Sequence, residues 1–146
     1  NIKLHMVGKL QTNKVKFVLP LFDFIHSLDS IKLAKKISEE QKKHQIKPKI
    51  FIQVNIGNES QKSGIQKNNL SDFYNECKKL GLDIVGTMCL PPIGDNPDIY
   101  FSEMKKITRI LKLYDISMGM SDDYLSAIDH SSTYLRIGSK IFGARN

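Results

Sequence analysis

The chain has 146 residues, with 22 Lys and Arg against 15 Asp and Glu, a formal net charge of +7, 40% hydrophobic and 25% charged. That length can bury a real core, and the composition is that of a globular protein rather than a disordered one. No run reaches the roughly 18 apolar residues a membrane span needs, and Cys77 and Cys89 are far apart with no CxxC spacing. A reduced, cytoplasmic protein is expected.

The opening "NIKLHMVGKL" has none of the regions of a secretory leader, lacks an initiator Met and starts directly on a strand-like pattern. A fragment or processed chain is expected. The lysines are densest in "KLAKKISEEQKKHQIKPK" (Lys32 to Lys49), diluted by Glu39 and Glu40. This reads as the solvated face of a helix, and there is no arginine-rich tract, RRM-like signature or zinc-finger spacing, so specific nucleic-acid binding is not expected.

In chain order, Lys3 to Val7 reads as a short strand ending at Gly8. A helix-like stretch with Leu10, Val15, Val18 and Leu19 follows and stops at Pro20. Asp23 to Asp29 is a second strand, and Ser30 suits the cap of a helix with Ile31, Ala34 and Ile37 on one face. Lys49 to Ile56 is the clearest strand, rich in β-branched and aromatic residues. A polar loop, Gly57 to Ile65, leads to a helix with Leu70, Phe73, Cys77 and Leu80 and a terminating Gly81. "LDIVGTMCL" is the next strand. Asn96 as cap with Pro97 at the first helical position opens a helix whose buried face is Tyr100, Met104, Ile107 and Leu111. "YDISMG", a short helix capped by Ser121 with Asp122 and Asp123 in its first turn, and "TYLRIG" complete the pattern, followed by "SKIFGARN".

Strict alternation of strand and helix implies parallel strands with helices outside, a barrel or an open sheet. Six strands are visible, whereas a closed (β/α)8 barrel takes about 250 residues. Residues 1–146 therefore read as a single α/β domain, the C-terminal portion of a TIM-barrel-type fold holding strands 3 to 8, with two units expected upstream. Such a piece exposes two sheet edges, so it is expected either to self-associate or to belong to a longer protein.

Barrel chemistry sits at the strand C-termini. The candidates there are His5 with Gly8, Asn13, His26 with Ser27, Asn55, Lys62 to Gly64, Met88, Ser117 to Ser121 and Arg136 to Ser139. "SMGMS" and "RIGS" are the sharpest pair, because barrels bind phosphate with the loops after their last two strands, where small residues let backbone N–H groups reach an oxyanion. Gly138 and Ser139 fit one side and Ser117 the other; the plainer reading makes Gly119 and Gly138 turn glycines. An inward Arg136 would be a costly buried charge without a ligand nitrogen or carboxylate beside it. His5, His26, His44 and His130 show no metal spacing, and there is no HExxH, carboxylate dyad or nucleophile elbow.

The stretches "HMVGKLQTNK", "HSLDS", "QVNIGNESQKSGI", "GTMCLPP", "SMGMSDDYLSAI" and "LRIGSKIFGARN" together resemble the pyridoxal 5′-phosphate homeostasis protein family, related to the N-terminal barrel of alanine racemase. The resemblance implies a non-catalytic, monomeric protein that binds pyridoxal 5′-phosphate in intracellular cofactor homeostasis. It implies phosphate contacts from Ser117, Met118, Gly138 and Ser139, and Arg136 at the pyridine nitrogen. Leu4 replaces the family's aromatic before His5. The family's Schiff-base lysine lies on the first strand, so it is expected upstream of Asn1, and no lysine of this chain takes its role. A racemase of the same fold is the alternative, although no tyrosine or cysteine here supplies the second base; a basic nucleic-acid-binding module ranks third.

Overall fold

The computed structural model describes residues 2–143. Six parallel strands form one sheet in sequence order: β1 (His5–Met6), β2 (Phe24–Leu28), β3 (Lys49–Val54), β4 (Asp83–Cys89), β5 (Asp115–Met120) and β6 (Tyr134–Arg136). The crossovers carry α1 (Val15–Val18), α2 (Ile31–His44), α3 (Leu70–Lys79), α4 (Pro97–Ile110) and α5 (Tyr124–Asp129), and α6 (Ser139–Phe142) follows the last strand. Crossovers of one hand between sequential parallel neighbours put every helix on one side and curl the sheet, which makes a partial barrel.

Alternation along the strands divides the interior in two. Ile25 and Leu28 of β2, Ile50, Ile52 and Val54 of β3, Cys89, Ile116 and Met118 face the helices and pack on Leu33, Ala34 and Ile37 of α2, Cys77 of α3 and Phe101 and Met104 of α4. The concave face instead carries Phe24, Phe51 and Met88, with Val85 and Tyr134 against them. A fully buried Leu, Ile or Phe contributes roughly 1.5–3 kcal/mol, so the outer layer supplies most of the stability and the inner layer shapes the site.

Local signals act as expected at several ends. The Leu33 N–H donates to Ser30 Oγ at the start of α2, and the Asp98 N–H to Asn96 Oδ1 at the start of α4, with Pro97 at the first position. Gly81 ends α3 at φ +74°, in the left-handed region. Other expectations need correction. The first helix is a 3₁₀ turn, Thr12–Lys14, plus the short α1, although Leu10, Val15 and Leu19 are core residues. On α4, Met104 and the following Leu111 are core as expected, but Phe101 and Thr108 are fully buried where Tyr100 and Ile107 sit at the margin. Thr108 escapes an unpaired hydroxyl by bonding the Met104 carbonyl and Thr87 of β4. The cap of α5 is Asp123, not Ser121, and the Asp123 carboxylate accepts from the Met120 N–H at 2.6 Å.

Candidate functional site

The inward side chains of four strands meet in one hydrogen-bonded chain. His5 Nδ1 of β1 lies 3.0 Å from His26 Nε2 of β2; His26 Nδ1 lies 2.8 Å from Ser117 Oγ of β5; and Arg136 Nη1 of β6 donates to that same oxygen at 2.7 Å. Arg136 Nη2 donates to the Cys89 carbonyl at the end of β4, at 2.8 Å. Packing fixes these groups: His5 stacks on Phe24 with ring centroids 4.1 Å apart, His26 stacks on Phe51 at 4.3 Å, and the Tyr134 ring closes against all four.

Burial sets the charge state of this cluster. His26 is only 1% exposed, and desolvation, helped by His5 and then Arg136, pushes its pKa down to about 4. Burial also lowers His5, against a pull upward from Asp23. Both imidazoles are therefore neutral near pH 7. Arg136 is half-buried, and no carboxylate pairs with it among the described residues. Its guanidinium stays protonated, so the protein holds a poorly solvated cation with donors to spare. Cys77 and Cys89 are buried thiols with pKa values pushed up to about 12 by desolvation, which makes them packing groups rather than nucleophiles.

A cavity of about 650 Å³ opens between the β1 and β6 edges, lined by His5, Gly8, His26, Tyr134, Arg136 and Gly138 among others. That volume suits a small cofactor. A second cavity of about 630 Å³ lies at the opposite end of the strands, by Lys3, Asp23 and Lys49, away from the face where such barrels do their chemistry. At the mouth of the first, Ser121 Oγ accepts from the backbone N–H groups of Gly138 and Lys140, each at 3.3 Å. Two amides converging on one oxygen is the arrangement a phosphate oxygen requires.

The expected site residues fall into three groups. Arg136, Gly138 and Ser139 lie together at the end of β6 and the start of α6. Ser117 lies inside the barrel, fully buried, its hydroxyl held by His26 and Arg136. Met118 points to the helix side and is core. Ser121, a member of the "SMGMS" candidate stretch and expected there as a helix cap, is instead the hydroxyl that the Gly138 and Lys140 amides meet. Gly119 has a structural cause: at φ +92° it forms the irregularity between Ser117 and Met120, and a Cβ there would lie 2.5 Å from Ala127 Cβ. The "QKSG" loop is tied down by its own contacts. Asn55 Nδ2 donates to the Glu59 carbonyl, Lys62 pairs with Glu59 at 2.6 Å, and Gly64 at φ +123° lets the loop lie on β3.

Residues 3–146 match the alanine racemase N-terminal domain. The six-stranded partial barrel of this chain thus has the fold of that domain. Distant structures share the fold alone, among them a D-threonine aldolase from Filomicrobium marinum at 13% identity and TM-score 0.76. Nearer relatives narrow the class. The chain is 35% identical to the pyridoxal phosphate homeostasis protein of Aquifex aeolicus, over 99% of this chain and 68% of that protein. It is 38% identical to the one from Pasteurella multocida, over 99% and 67%. PipY of Synechococcus elongatus, solved with PLP bound, superposes with TM-score 0.90 at 28% identity, covering 97% of this chain and 71% of that one; its structure without PLP gives 0.91 at 29%, with the same coverage. The chain belongs to the pyridoxal phosphate homeostasis protein family and spans about two thirds of the length of these relatives.

Proposed function

We propose that this chain binds pyridoxal 5′-phosphate reversibly at the strand C-termini and acts, as part of a non-catalytic cytoplasmic protein, in holding and buffering the cofactor. The observation that carries the reading is Arg136: a half-buried cation, fixed by Ser117 and the Cys89 carbonyl, facing a ligand-sized cavity with no carboxylate among the described residues to pair with. Pyridoxal phosphate would place its ring nitrogen at the free donors of that guanidinium. The Gly138 and Ser139 loop, with the hydroxyl of Ser121, would hold the phosphate. In this arrangement Ser117 supports Arg136, and Met118 contributes backbone shape rather than a side-chain contact. The free, buried cysteines support a reducing compartment.

When bound, this cofactor supplies an electron sink whose strength depends on a protonated ring nitrogen. An arginine that keeps its own proton leaves that nitrogen unprotonated and the sink weak. This favours holding over transformation. No lysine lines the cavity among the described residues, so the reading is of noncovalent binding here, with the lysine that bonds the aldehyde expected upstream. A fluorescence titration with pyridoxal phosphate tests it. Arg136→Met is expected to weaken the affinity about 10- to 100-fold, the cost of a charge-assisted hydrogen bond. Borohydride treatment of the loaded chain should leave no stoichiometric adduct on a single lysine. Unchanged affinity in the variant, or such an adduct, would overturn the proposal, and amino-acid racemisation at enzyme-like rates would replace it with the racemase alternative.

A further inference from the structure

The chain from Arg136 to His5 can hold its protons in only one order. Arginine has donors and no acceptor, so Ser117 Oγ accepts from Arg136. That oxygen has two polar neighbours among the described residues, Arg136 Nη1 and His26 Nδ1. If His26 carried its proton on Nδ1, the serine would receive two donors and its own proton would have no acceptor in a fully buried site, which costs the full desolvation of that hydroxyl. The serine must instead donate to His26 Nδ1. His26 then carries its proton on Nε2 and donates to His5 Nδ1, and His5 is left as an Nε2–H imidazole at the cavity.

We propose that Ser117 and His26 are positioning residues for Arg136, and that the arginine's donor-only chemistry orders the whole chain, Arg136 to Ser117 to His26 to His5, in one direction. The groups facing His26 fit this assignment. His5 of β1 is its acceptor, Ser117 of β5 its donor, Arg136 of β6 the end of the chain, and Phe51 and Tyr134 are apolar walls. With the serine oriented and the Cys89 carbonyl on the other side, the guanidinium plane is fixed before any ligand arrives, and the entropy of ordering it is already spent. Only the ligand side of this inference rests on the reading above; the proton order does not.

The decisive experiment is long-range ¹H–¹⁵N correlation on the imidazoles of the ¹⁵N-labelled chain at pH 7, without ligand. His26 should be the neutral Nε2–H tautomer. A neutral Nδ1–H tautomer or an imidazolium would overturn the proposal. Ser117→Ala tests the positioning. The affinity for pyridoxal phosphate should fall about tenfold, the loss of one oriented charged hydrogen bond, while inorganic phosphate binding stays as it was. Equal losses for both probes would show a merely structural role for the serine. If Ser117→Ala does not fold, the tautomer of the unaltered chain still decides the proton order. If the unaltered chain binds no pyridoxal phosphate, the functional reading fails while the tautomer result stands by itself.

Discussion

Replacing His26 with Gln should remove about 2 kcal/mol of the chain's sensitivity to mild acid between pH 7 and pH 5. The unfolded chain takes up a proton on His26 near its ordinary pKa of 6.5, whereas the folded chain refuses it until about 4. Between those values the unfolded state binds more protons, so stability rises with pH and is lost as pH falls through the window; below about 4 the two states bind alike. With these pKa values the loss between pH 7 and pH 5 is about 2 kcal/mol, out of a full-shift ceiling of about 3 kcal/mol. For a domain of this size that is about 5 °C in Tm. His26 is buried, so solvent does not screen the effect away. Glutamine keeps hydrogen-bonding capacity and loses the titration. His5, whose pKa burial also lowers, remains in both proteins and largely cancels in the comparison. Urea unfolding at pH 7, 6 and 5 should show the Gln variant less stable at pH 7 and closing the gap by about 2 kcal/mol at pH 5. A gap that stays constant with pH would refute the claim that the fold holds His26 neutral.

Other outcomes follow from single contacts. Gly119→Ala puts a methyl 2.5 Å from Ala127 Cβ and 3.0 Å from Leu135 Cδ2 at a backbone φ of +92°, so chemical denaturation should show a loss of about 3 kcal/mol or more. Ser121→Ala removes both the hydroxyl proposed to meet the phosphate and the acceptor that holds the Gly138 and Lys140 amides, and should weaken inorganic phosphate binding several-fold by isothermal titration and cost about 1 kcal/mol in the same denaturation assay. Thr108→Val strands the Thr87 hydroxyl and should cost about 1–3 kcal/mol in the same unfolding assay. Because β1 and β6 each pair on one side only, the chain expressed alone should self-associate with rising concentration in sedimentation velocity.

What could be read in the sequence was what depends on local pattern. The run "KIFIQV" gives β3 because β-branched and aromatic residues fit a pleated surface, and Ser30, Asn96 and Gly81 mark helix ends through chemistry that needs no distant partner. On α4, helical spacing finds Met104 and Leu111 but does not distinguish Tyr100 from its neighbour Phe101, the fully apolar ring that takes the core position. Thr108 is buried against Thr87, 21 positions away, and local pattern carries no sign of that partner. The site was legible only in part for the same reason. That "SMGMS" and "RIGS" belong together follows from their places on the last two strands. Which serine does what does not, until alternation is applied strictly: with Ile116 and Met118 facing the helices, Ser117 must face the barrel axis.

The same alternation explains why the interior is polar at all. A half-buried guanidinium in an otherwise apolar barrel would be expelled or neutralised unless acceptors met it. The acceptors here are one serine oxygen and one carbonyl oxygen, both uncharged. A carboxylate would have stabilised Arg136 more strongly, but it would also have competed with any ligand for the same donors. Neutral acceptors hold the fork in place and leave its charge unspent. The two histidines extend this solution inward, since each can take one proton and pass one on without net charge, which lets the hydrogen-bonded chain end at His5 without a second charge in it. A cluster of neutral acceptors behind an arginine thus fixes the guanidinium while leaving its charge unpaired by any internal carboxylate among the described residues.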